Sequence, residues 1–389
     1  GTRQYRERTA APKQVRKQGP GFEEIFLPAP AALPTASQGD LVPVSEFETW
    51  AQLAFPGTKS LNRIQSKVFP IAYNSLENML VCAPTGAGKT NIAMMTFLAL
   101  VKQHIADGAL ERDKVKAVYI APMKALAQEV VEKFGDRLAP LGMEVREFTG
   151  DMQLTRQEVM DSQLIVTTPE KWDVITRKGG DGSLSTLVSL IIIDEVHLLA
   201  DDRGAVIETI VARTHRQVES SQEFVRLVGL SATLPNYEDV ASFLRVSPDR
   251  GLFHFGPEYR PVRLDQTLIG VTEKNRVKAK DAMNRQCFDK MVEALKRNKQ
   301  VMVFVHSRKD TGATAEALRD LAGKHLRTDL LENVHHEQYS YWKKEVEKSK
   351  SGEVQQLFSH GFGMHHAGML RADRTLTERL FERGVIKVN

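Results

Sequence analysis

Cysteine is nearly absent from this 389-residue chain, in which only Cys82 and Cys287 occur. Cys82 lies in an apolar run that predicts a core strand, and Cys287 lies in a helical pattern. The pair therefore excludes a disulfide framework and a zinc site built on cysteines. So little cysteine is typical of a reducing compartment, and we expect a cytoplasmic protein, with the nucleus as the alternative.

Long hydrophobic runs and a dominant charge are lacking too. No uncharged apolar stretch reaches the roughly eighteen residues that a membrane-spanning helix needs, and the N-terminus has no signal-peptide core, so no membrane partner is expected. The composition is 42% hydrophobic and 26% charged, with a net charge of +4, which is typical of globular domains and compatible with a polyanionic partner. The length predicts two or three domains.

A glycine-rich segment is the first strong signal. Residues 83–90 read A-P-T-G-A-G-K-T, and all of them are predicted to bind nucleotide: Ala83, Pro84, Thr85, Gly86, Ala87, Gly88, Lys89 and Thr90. The glycines let backbone N–H groups turn toward phosphate oxygens, and Thr90 opens a helix whose positive end faces them. Alanine at position 83 departs from the full phosphate-loop pattern, so an ordinary strand-to-helix turn is the alternative.

An acidic pair follows at domain-scale distance. Asp194-Glu195-Val196-His197 closes an apolar run, and Ser231-Ala232-Thr233 comes later. Asp194, from a neighbouring strand, and the Thr90 hydroxyl are predicted to hold Mg²⁺, partly through water, while Lys89 reaches the β and γ phosphates. Glu195 is predicted to orient and deprotonate the attacking water. His197 would link the nucleotide site to Ser231 or to a later arginine motif. This order predicts a nucleotide hydrolase that uses ATP and Mg²⁺.

Apolar runs alternate with helical patterns between residues 45 and 256. The predicted strands are 78–84, 115–122, 144–150, 164–169, 190–195 and 225–233. This alternation indicates a parallel sheet with helices on both faces and ligands at the carboxyl ends of the strands. After a proline-containing connector at 257–272 the pattern restarts, with helices at 278–297, 312–325 and 341–358 and strands at 300–306, 362–366 and 385–388.

Together these motifs resemble the superkiller-type DExH-box RNA helicases of superfamily two, and within them the large proteins that carry two helicase cassettes in tandem. The resemblance runs from about Val42 to the end of the chain. It implies an α/β fold with two RecA-like parallel-sheet domains, the second incomplete at its C-terminus. The implied division is an N-terminal arm at 1–44, a first domain at 45–256 and a second at 257–389.

The resemblance also assigns residues. Gln65, in Leu61-Asn62-Arg63-Ile64-Gln65, is implied to read adenine, and Asp194 to His197 form the DExH box, in which Lys89, Asp194, Glu195 and His197 are catalytic. The residues implied to bind single-stranded RNA are Pro122, Lys124, Thr149, Gly150, Thr168, Pro169, Lys171, His306, Ser307, Arg308, His366 and Gly368. Solvated loop lysines are the alternative for Lys124 and Lys171.

The implied activity is ATP-dependent 3′-to-5′ translocation on RNA. Gly150-Asp151-Met152-Gln153-Leu154, Ala121 to Leu126 and Val196 are most similar to the members that act in ribosome-associated quality control. There the strand is mRNA, the load is a stalled or collided ribosome, and the partners are ubiquitin-binding accessory subunits. Spliceosomal members that unwind small nuclear RNAs share almost every motif and are the first alternative.

The second alternative is a nucleotide-responsive scaffold that does not hydrolyse ATP, although the intact acidic pair argues against it. The family's arginines that reach the γ-phosphate are expected beyond Asn389, so this polypeptide should bind ATP better than it hydrolyses it. The histidine pairs at 335–336 and 365–366 lack partners at ligand spacing and predict no metal. Asp201-Asp202-Arg203 is interpreted as a charged loop that fixes the next helix.

The arm at 1–44 is interpreted either as a solvated tail or as a segment that contacts RNA or a partner. Its basic residues are Arg3, Arg6, Arg8, Lys13, Arg16 and Lys17. The apolar side chains of Phe22, Ile25, Phe26 and Leu27 are predicted to anchor it on a folded body.

Overall fold

The computed structural model describes residues 14–31, 33–34, 40–106, 108–150, 152, 155–177 and 184–389, with Arg156 described by its backbone alone. The predictions made for residues 1–13, Asp151, Gln153 and Leu154 lie outside these described residues. The described chain divides into two compact units, one at Pro28–Asp265 and the other at Gln14–Leu27 with Gln266–Asn389. Among the described helices, none has the length and apolar character needed to cross a membrane.

Twelve strands are present in the described chain: β1 (Val15–Gly19), β2 (Phe22–Leu27), β3 (Met79–Cys82), β4 (Ile105–Ala106), β5 (Ala109–Leu110), β6 (Ala117–Ile120), β7 (Val145–Phe148), β8 (Leu164–Thr167), β9 (Leu190–Ile193), β10 (Arg226–Ser231), β11 (Leu252–His254) and β12 (Gln266–Val271). Short 3₁₀ helices connect several elements: Val44–Glu46, Arg112–Lys114, Ala139–Leu141, Val196–Ala200, Pro257–Tyr259 and Thr328–Leu330.

The described α-helices are α1 (Thr49–Gln52), α2 (Arg63–Ala72), α3 (Lys89–Gln103), α4 (Lys124–Leu138), α5 (Arg156–Asp161), α6 (Pro169–Arg177), α7 (Leu184–Leu187), α8 (Gly204–Ser221), α9 (Tyr237–Phe243), α10 (Arg276–Lys296), α11 (Arg308–Lys324), α12 (Tyr339–Glu347), α13 (Gly352–Phe358) and α14 (Arg371–Glu382).

The first unit is built on a seven-stranded sheet in the order β11-β3-β10-β9-β6-β8-β7, and all neighbouring strands are parallel. Each of the six strands predicted here is confirmed, although each ends two residues earlier than predicted and some begin one or two residues later. Strand β11 was not predicted, because three residues are too few to show a period. The result is a mixed α/β fold of the RecA-like kind.

The sheet separates two apolar cores, because successive residues of a strand point to opposite faces. Val81 and Tyr119 face one core with helices α2, α3 and α4, whereas Leu80 and Val118 face the other with α6, α8 and α9. Both faces are covered, which explains why the strands are continuous apolar runs instead of alternating ones. The predicted placement of helices on both faces is confirmed.

Two buried cations close the amino-terminal edge of this sheet. Arg226, at the start of β10, is 2% exposed and donates to the carbonyls of Ile71, Ala72 and Glu77 at 2.8, 3.2 and 2.8 Å. Lys116, just before β6, is also 2% exposed and donates to the Ser162 carbonyl at 2.7 Å. Burial lowers both pKa values, that of Arg226 to about 10. Each cation caps carbonyls left free where a helix ends, and Arg226 also binds the Glu77 carbonyl in the loop before β3.

The second unit contains the antiparallel sheet β1-β2-β12 and helices α10 to α14. Part of the predicted arm therefore forms a hairpin, which pairs with β12. The strands predicted at 300–306, 362–366 and 385–388 are wrong as strands. These segments are extended but meet only in the isolated parallel bridges Val301↔Val388 and Phe362↔Val388. One bridge per pair is too short a ladder to define a strand.

The single helix predicted at 341–358 is also wrong. It is interrupted between α12 and α13, where the Ser349 hydroxyl donates to Asp373 at 2.7 Å and the Ser351 hydroxyl accepts from the Val354 N–H at 3.3 Å. Serine side chains that bond the local backbone favour helix ends over helix interiors, and Gly352 adds to the break.

Candidate functional site

The predicted phosphate loop joins the end of β3 to the start of α3. Gly86 and Gly88 have φ angles of 80° and 81°, in the left-handed region that favours glycine, and Gly88 directly precedes the helix. A Cβ added to Gly88 would lie 2.3 Å from Nε2 of Gln65. Gly88 is therefore required both by its backbone conformation and by the space around it.

The start of α2 supports this loop from the side. The Gln65 amide donates to the Gly88 carbonyl at 3.1 Å and accepts from the Asn62 N–H at 3.0 Å, while the Asn62 amide donates to the Ala87 carbonyl at 2.9 Å. Gln65 is 4% exposed. Both ends of its amide are used within the protein, so adenine recognition by Gln65 stays a prediction that requires the bond to Gly88 to open.

The acidic pair lies at the same carboxyl edge of the sheet, although not on the neighbouring strand. The sequence analysis placed Asp194 on a strand next to that of the loop, and this is wrong, because β10 lies between β3 and β9. The Ala83 N–H donates to the Ser231 carbonyl at 3.0 Å, which joins the loop to the Ser231-Ala232-Thr233 motif. That motif therefore separates the predicted phosphate site from the acidic pair.

Asp194 is held from two directions. The Tyr119 hydroxyl donates to its Oδ2 at 2.7 Å, and the Glu195 N–H donates to its Oδ1 at 2.9 Å. Burial raises the pKa of Asp194, against the opposing effects of the Tyr119 and Glu195 hydrogen bonds and the charge of Lys89. Burial first, and then the charge of Asp194, raise the pKa of Tyr119 well above its ordinary value. Tyr119 therefore stays a neutral donor to this carboxylate.

Sequence reasoning missed Tyr119. The only available signal was one hydroxyl-bearing residue in the apolar run of β6, and register with β9 could not be read from the sequence. Tyr119 pairs with Ile192, two residues before Asp194. The hydroxyl therefore reaches the carboxylate across adjacent parallel strands.

The donor set suits magnesium. In the described part of the chain, no three His, Cys, Asp or Glu side chains group into a metal site. The predicted set of one oriented carboxylate and the Thr90 hydroxyl leaves the remaining positions to phosphate oxygens and water, which is the arrangement Mg²⁺ favours. Lys89 Nζ donates to the Ala83 carbonyl at 3.3 Å, so its ammonium lies over the same loop.

Glu195 adopts a conformation that is unusual for its residue type. Its φ of 52° is left-handed, and a short 3₁₀ helix, Val196–Ala200, begins directly after it. His197 Nδ1 lies 3.3 Å from Glu195 Oε2, 3.4 Å from the Ala232 nitrogen and 3.5 Å from Ser231 Oγ. Strain of this kind is found where a side chain must be presented in one direction. The Glu195 carboxylate remains one-third exposed, as a group that meets water must be.

The segments predicted to bind RNA in the first unit lie at the same edge. Helices α4 and α6 begin there, and Lys124 is exposed at the first turn of α4. Lys171 instead donates to the carbonyls of Gly150 and Met152 at 3.0 and 2.8 Å, with its ammonium 4.6 Å from the Phe148 ring centroid. The side chains of Pro122, Thr149 and Pro169 are buried, whereas Thr168 is half-buried. Pro122, Thr149 and Pro169 could therefore contact RNA only through their backbone atoms.

The segments predicted to bind RNA in the second unit converge. Ser307 caps α11, accepting from the Asp310 N–H at 3.1 Å, and Arg308 follows it. The Gly368 N–H donates to His366 Nδ1 at 3.1 Å, and a Cβ on Gly368 would lie 3.4 Å from Arg308 Cδ. Residues separated by about sixty positions thus meet at one place, which also carries His306.

Tyr119→Phe is expected to raise about tenfold the Mg²⁺ concentration needed for tight binding of a fluorescent ATP analogue, because ligand-orienting partners typically contribute ten- to hundredfold to metal affinity. Binding measured in EDTA should change less than twofold. The matched control is Tyr73→Phe, which removes another buried tyrosine hydrogen bond to a carboxylate, that of Glu48, outside this site. An unchanged Mg²⁺ dependence in Tyr119→Phe would contradict the orienting role.

Comparisons with known proteins agree with this geometry. The family model for DEAD/DEAH box helicases matches residues 62–240. The chain is 57% identical over 374 residues to "DExH-box ATP-dependent RNA helicase DExH14" of Arabidopsis thaliana, covering 96% of this chain and 17% of that protein. It is 51% identical over 368 residues to "Activating signal cointegrator 1 complex subunit 3" of Gallus gallus, covering 94% of this chain and 17% of that protein.

A third relative is "U5 small nuclear ribonucleoprotein 200 kDa helicase" of Homo sapiens, 50% identical over 374 residues that cover 96% of this chain and 18% of that protein. The chain thus spans less than one-fifth of the length of these relatives. Among solved structures, the DUF1998 helicase MrfA bound to DNA and AMPPNP matches with a TM-score of 0.60 at 18% identity, covering 94% of this chain and 45% of that one. At that identity the match supports the fold alone. The phosphate loop, the acidic pair and these relatives together place the chain in the family of DEAD/DEAH box helicases.

Proposed function

We propose that this chain is the ATP-driven motor segment of a 3′-to-5′ RNA helicase. The observation that carries the proposal is the meeting of the glycine loop, the Ser231 motif and the Asp194-Glu195 pair at one edge of one sheet. An ATP motor needs phosphate binding, a metal ligand and a base within reach of each other. Two of the relatives are named as an RNA helicase and a helicase.

Within this proposal each residue has a defined task. Lys89 and the loop N–H groups bind the β and γ phosphates, and Asp194 and Thr90 hold Mg²⁺, which supplies charge neutralisation when it is bound. Glu195 accepts the proton of the attacking water. His197 contacts both Glu195 and Ser231. A change in the protonation of Glu195 would therefore be felt at the end of β10, the strand that lies between the phosphate loop and the acidic pair. The adenosine has room in a cavity of about 470 Å³ beside Gly86 and Ala87.

Single-stranded RNA would bind at the loops after β6 and β8. Helices α4 and α6 both start at this edge, so their free N–H groups and positive ends face the place where phosphates would lie. Lys124 adds an exposed charge. Contacts of this kind track the sugar-phosphate backbone and carry no base specificity, which suits a translocase.

The finer proposal is action on mRNA to split stalled or collided ribosomes, in the cytoplasm, with ubiquitin-binding accessory subunits as partners. It rests on the sequence motifs at 121–126 and 150–154, on the valine at position 196, and on similarity to the activating signal cointegrator subunit. The U5 small nuclear ribonucleoprotein helicases reach 50–51% identity as well, so identity does not separate these two relatives. Unwinding of small nuclear RNA duplexes therefore remains the second candidate function.

Lys89→Ala is expected to weaken ATP binding by at least about tenfold, because it removes the cation that reaches the β and γ phosphates. Equilibrium titration with a fluorescent ATP analogue measures this directly. Lys102→Ala is the matched control, since Lys102 lies on the same helix but pairs with Glu48 at 2.6 Å. Equal affinities for Lys89→Ala and the parent would refute the phosphate-loop assignment.

The substrate is tested with the full-length protein. Its ATPase rate should rise on adding single-stranded RNA, and it should split collided ribosomes faster than it unwinds a small nuclear RNA duplex. The reverse preference would support the spliceosomal alternative. No stimulation by RNA would refute the motor itself.

A further inference from the structure

Arg203 makes contacts that the sequence analysis did not anticipate. It stands where the 3₁₀ helix that follows the acidic pair gives way to α8. Its Nε and Nη2 lie 2.5 and 2.7 Å from the two carboxylate oxygens of Glu170, and its Nη1 donates to the Pro122 carbonyl. The interpretation of this stretch as a loop that only fixes the next helix is therefore incomplete.

These contacts join three different loops at the carboxyl edge of the sheet. Pro122 follows β6, Glu170 lies in the first turn of α6 after β8, and Arg203 follows the acidic end of β9. A guanidinium presents its N–H groups in a rigid planar fork, so it can grip a carboxylate with two bonds and still reach a carbonyl. A lysine ammonium could not satisfy the same set in one position.

The segment between Glu195 and Arg203 is compact. The Leu198 N–H donates to the Glu195 carbonyl at 2.9 Å, and the Gly204 N–H donates to the Asp201 carbonyl at 2.8 Å. A Cβ added to Gly204 would lie 2.1 Å from the Leu199 carbonyl oxygen, so the turn closes without space for a side chain. Glu195 and Arg203 are therefore joined by a short, closely packed stretch of chain, which is the kind of contiguous connection that coupling between sites uses.

The loops that Arg203 holds are those that start α4 and α6. Glu170 is followed by Lys171, whose ammonium binds the Gly150 and Met152 carbonyls. The loop after β7 is thereby connected to the same network. All three segments predicted to bind RNA in this unit, those after β6, β7 and β8, are thus connected to one arginine, directly or through the segment that carries Lys171.

We propose that Arg203 is a positioning residue that couples the nucleotide site to the RNA-facing loops, by holding Glu170 and the Pro122 carbonyl in register with the segment after Glu195. The proposal rests on the proposed function, since it assigns a route between the ATP and RNA sites of that motor. Arg203 contacts neither ligand in this proposal and acts through the loops it holds.

The test uses the full-length protein with Arg203→Lys, Glu170→Gln and the double variant. For Arg203→Lys we expect the RNA concentration that gives half-maximal ATPase stimulation to rise about tenfold, as for lost charge-assisted bonds. The affinity for ATP without RNA should change less than twofold, which also shows that the variant is folded. The double variant should be no worse than Arg203→Lys alone, because both changes break one interaction.

Glu219→Gln is the matched control. Glu219 lies on α8, and its carboxylate pairs with the Arg245 guanidinium at 2.5 Å. The control variant should leave the RNA dependence unchanged. Normal half-maximal RNA concentrations in Arg203→Lys and Glu170→Gln, or additive losses in the double variant, would overturn the coupling role while the parent still responds to RNA. A parent that shows no RNA stimulation would overturn the proposed function itself, and this inference with it.

Discussion

Glu195→Gln is expected to lower the RNA-stimulated ATPase rate of the full-length protein by about a hundredfold or more, while ATP binding stays near the parental value. Glutamine keeps the shape of the side chain and its distance from His197, but it cannot accept the proton of the attacking water. The phosphate loop and Asp194 are untouched, so nucleotide affinity should persist. Steady-state phosphate release and titration with a fluorescent ATP analogue measure the two quantities separately.

Glu208→Gln provides the control for this experiment, since Glu208 is an exposed glutamate on α8. It should retain the parental rate. If Glu195→Gln hydrolyses ATP like the parent, the assignment of the general base is wrong. If it loses ATP binding as well, Glu195 has a structural part in the site that its one-third exposed side chain does not suggest.

Arg226→Met is expected to lower the free energy of unfolding of the first unit by about 3 kcal/mol, because a buried acceptor that loses its donor costs about 1–3 kcal/mol. Methionine fills much of the volume but leaves the Ile71, Ala72 and Glu77 carbonyls without their donor in a site closed to water. Urea denaturation of the full-length protein, followed by amide hydrogen exchange of the strands of the first unit, measures the loss.

Arg250→Met is the comparison for Arg226→Met. Arg250 is 61% exposed and pairs with the Glu77 carboxylate at 3.0 Å, so its loss should cost no more than about 1 kcal/mol. A difference of less than about 1 kcal/mol between the two variants would contradict the capping role of Arg226.

The sequence was sufficient for features that depend on nearby residues. Apolar runs predicted every long strand of the first unit, and the glycines at 86 and 88 predicted the loop, because periodicity and φ preferences are local properties. The motifs also indicated that the predicted site residues would share the carboxyl edge of the sheet, as they do. Strand order depends on contacts between distant segments, so the position of β10 between β3 and β9 could not be predicted from the sequence.

Contacts between distant segments account for the rest. The Tyr119 bond to Asp194, the Gln65 bond to Gly88 and the Arg203 fork each join residues separated by tens of positions. In the sequence these are one tyrosine in an apolar run, one glutamine and one arginine in a charged loop. The helix break in the second unit was not predicted for a different reason. The charged pattern of 341–358 continues through Ser349 and Gly352, although the helical backbone is interrupted there.

The buried cations at the amino-terminal edge have a mechanical meaning. A motor protein that converts ATP hydrolysis into movement needs a rigid core relative to which its loops move. Arg226 and Lys116 bind helix ends to the amino-terminal edge of the sheet through buried bonds. The carboxyl edge is held by bonds between partly exposed side chains, such as those of Arg203 and His197. In the proposed motor, the amino-terminal edge of the sheet would therefore stay fixed while the loops at the carboxyl edge move.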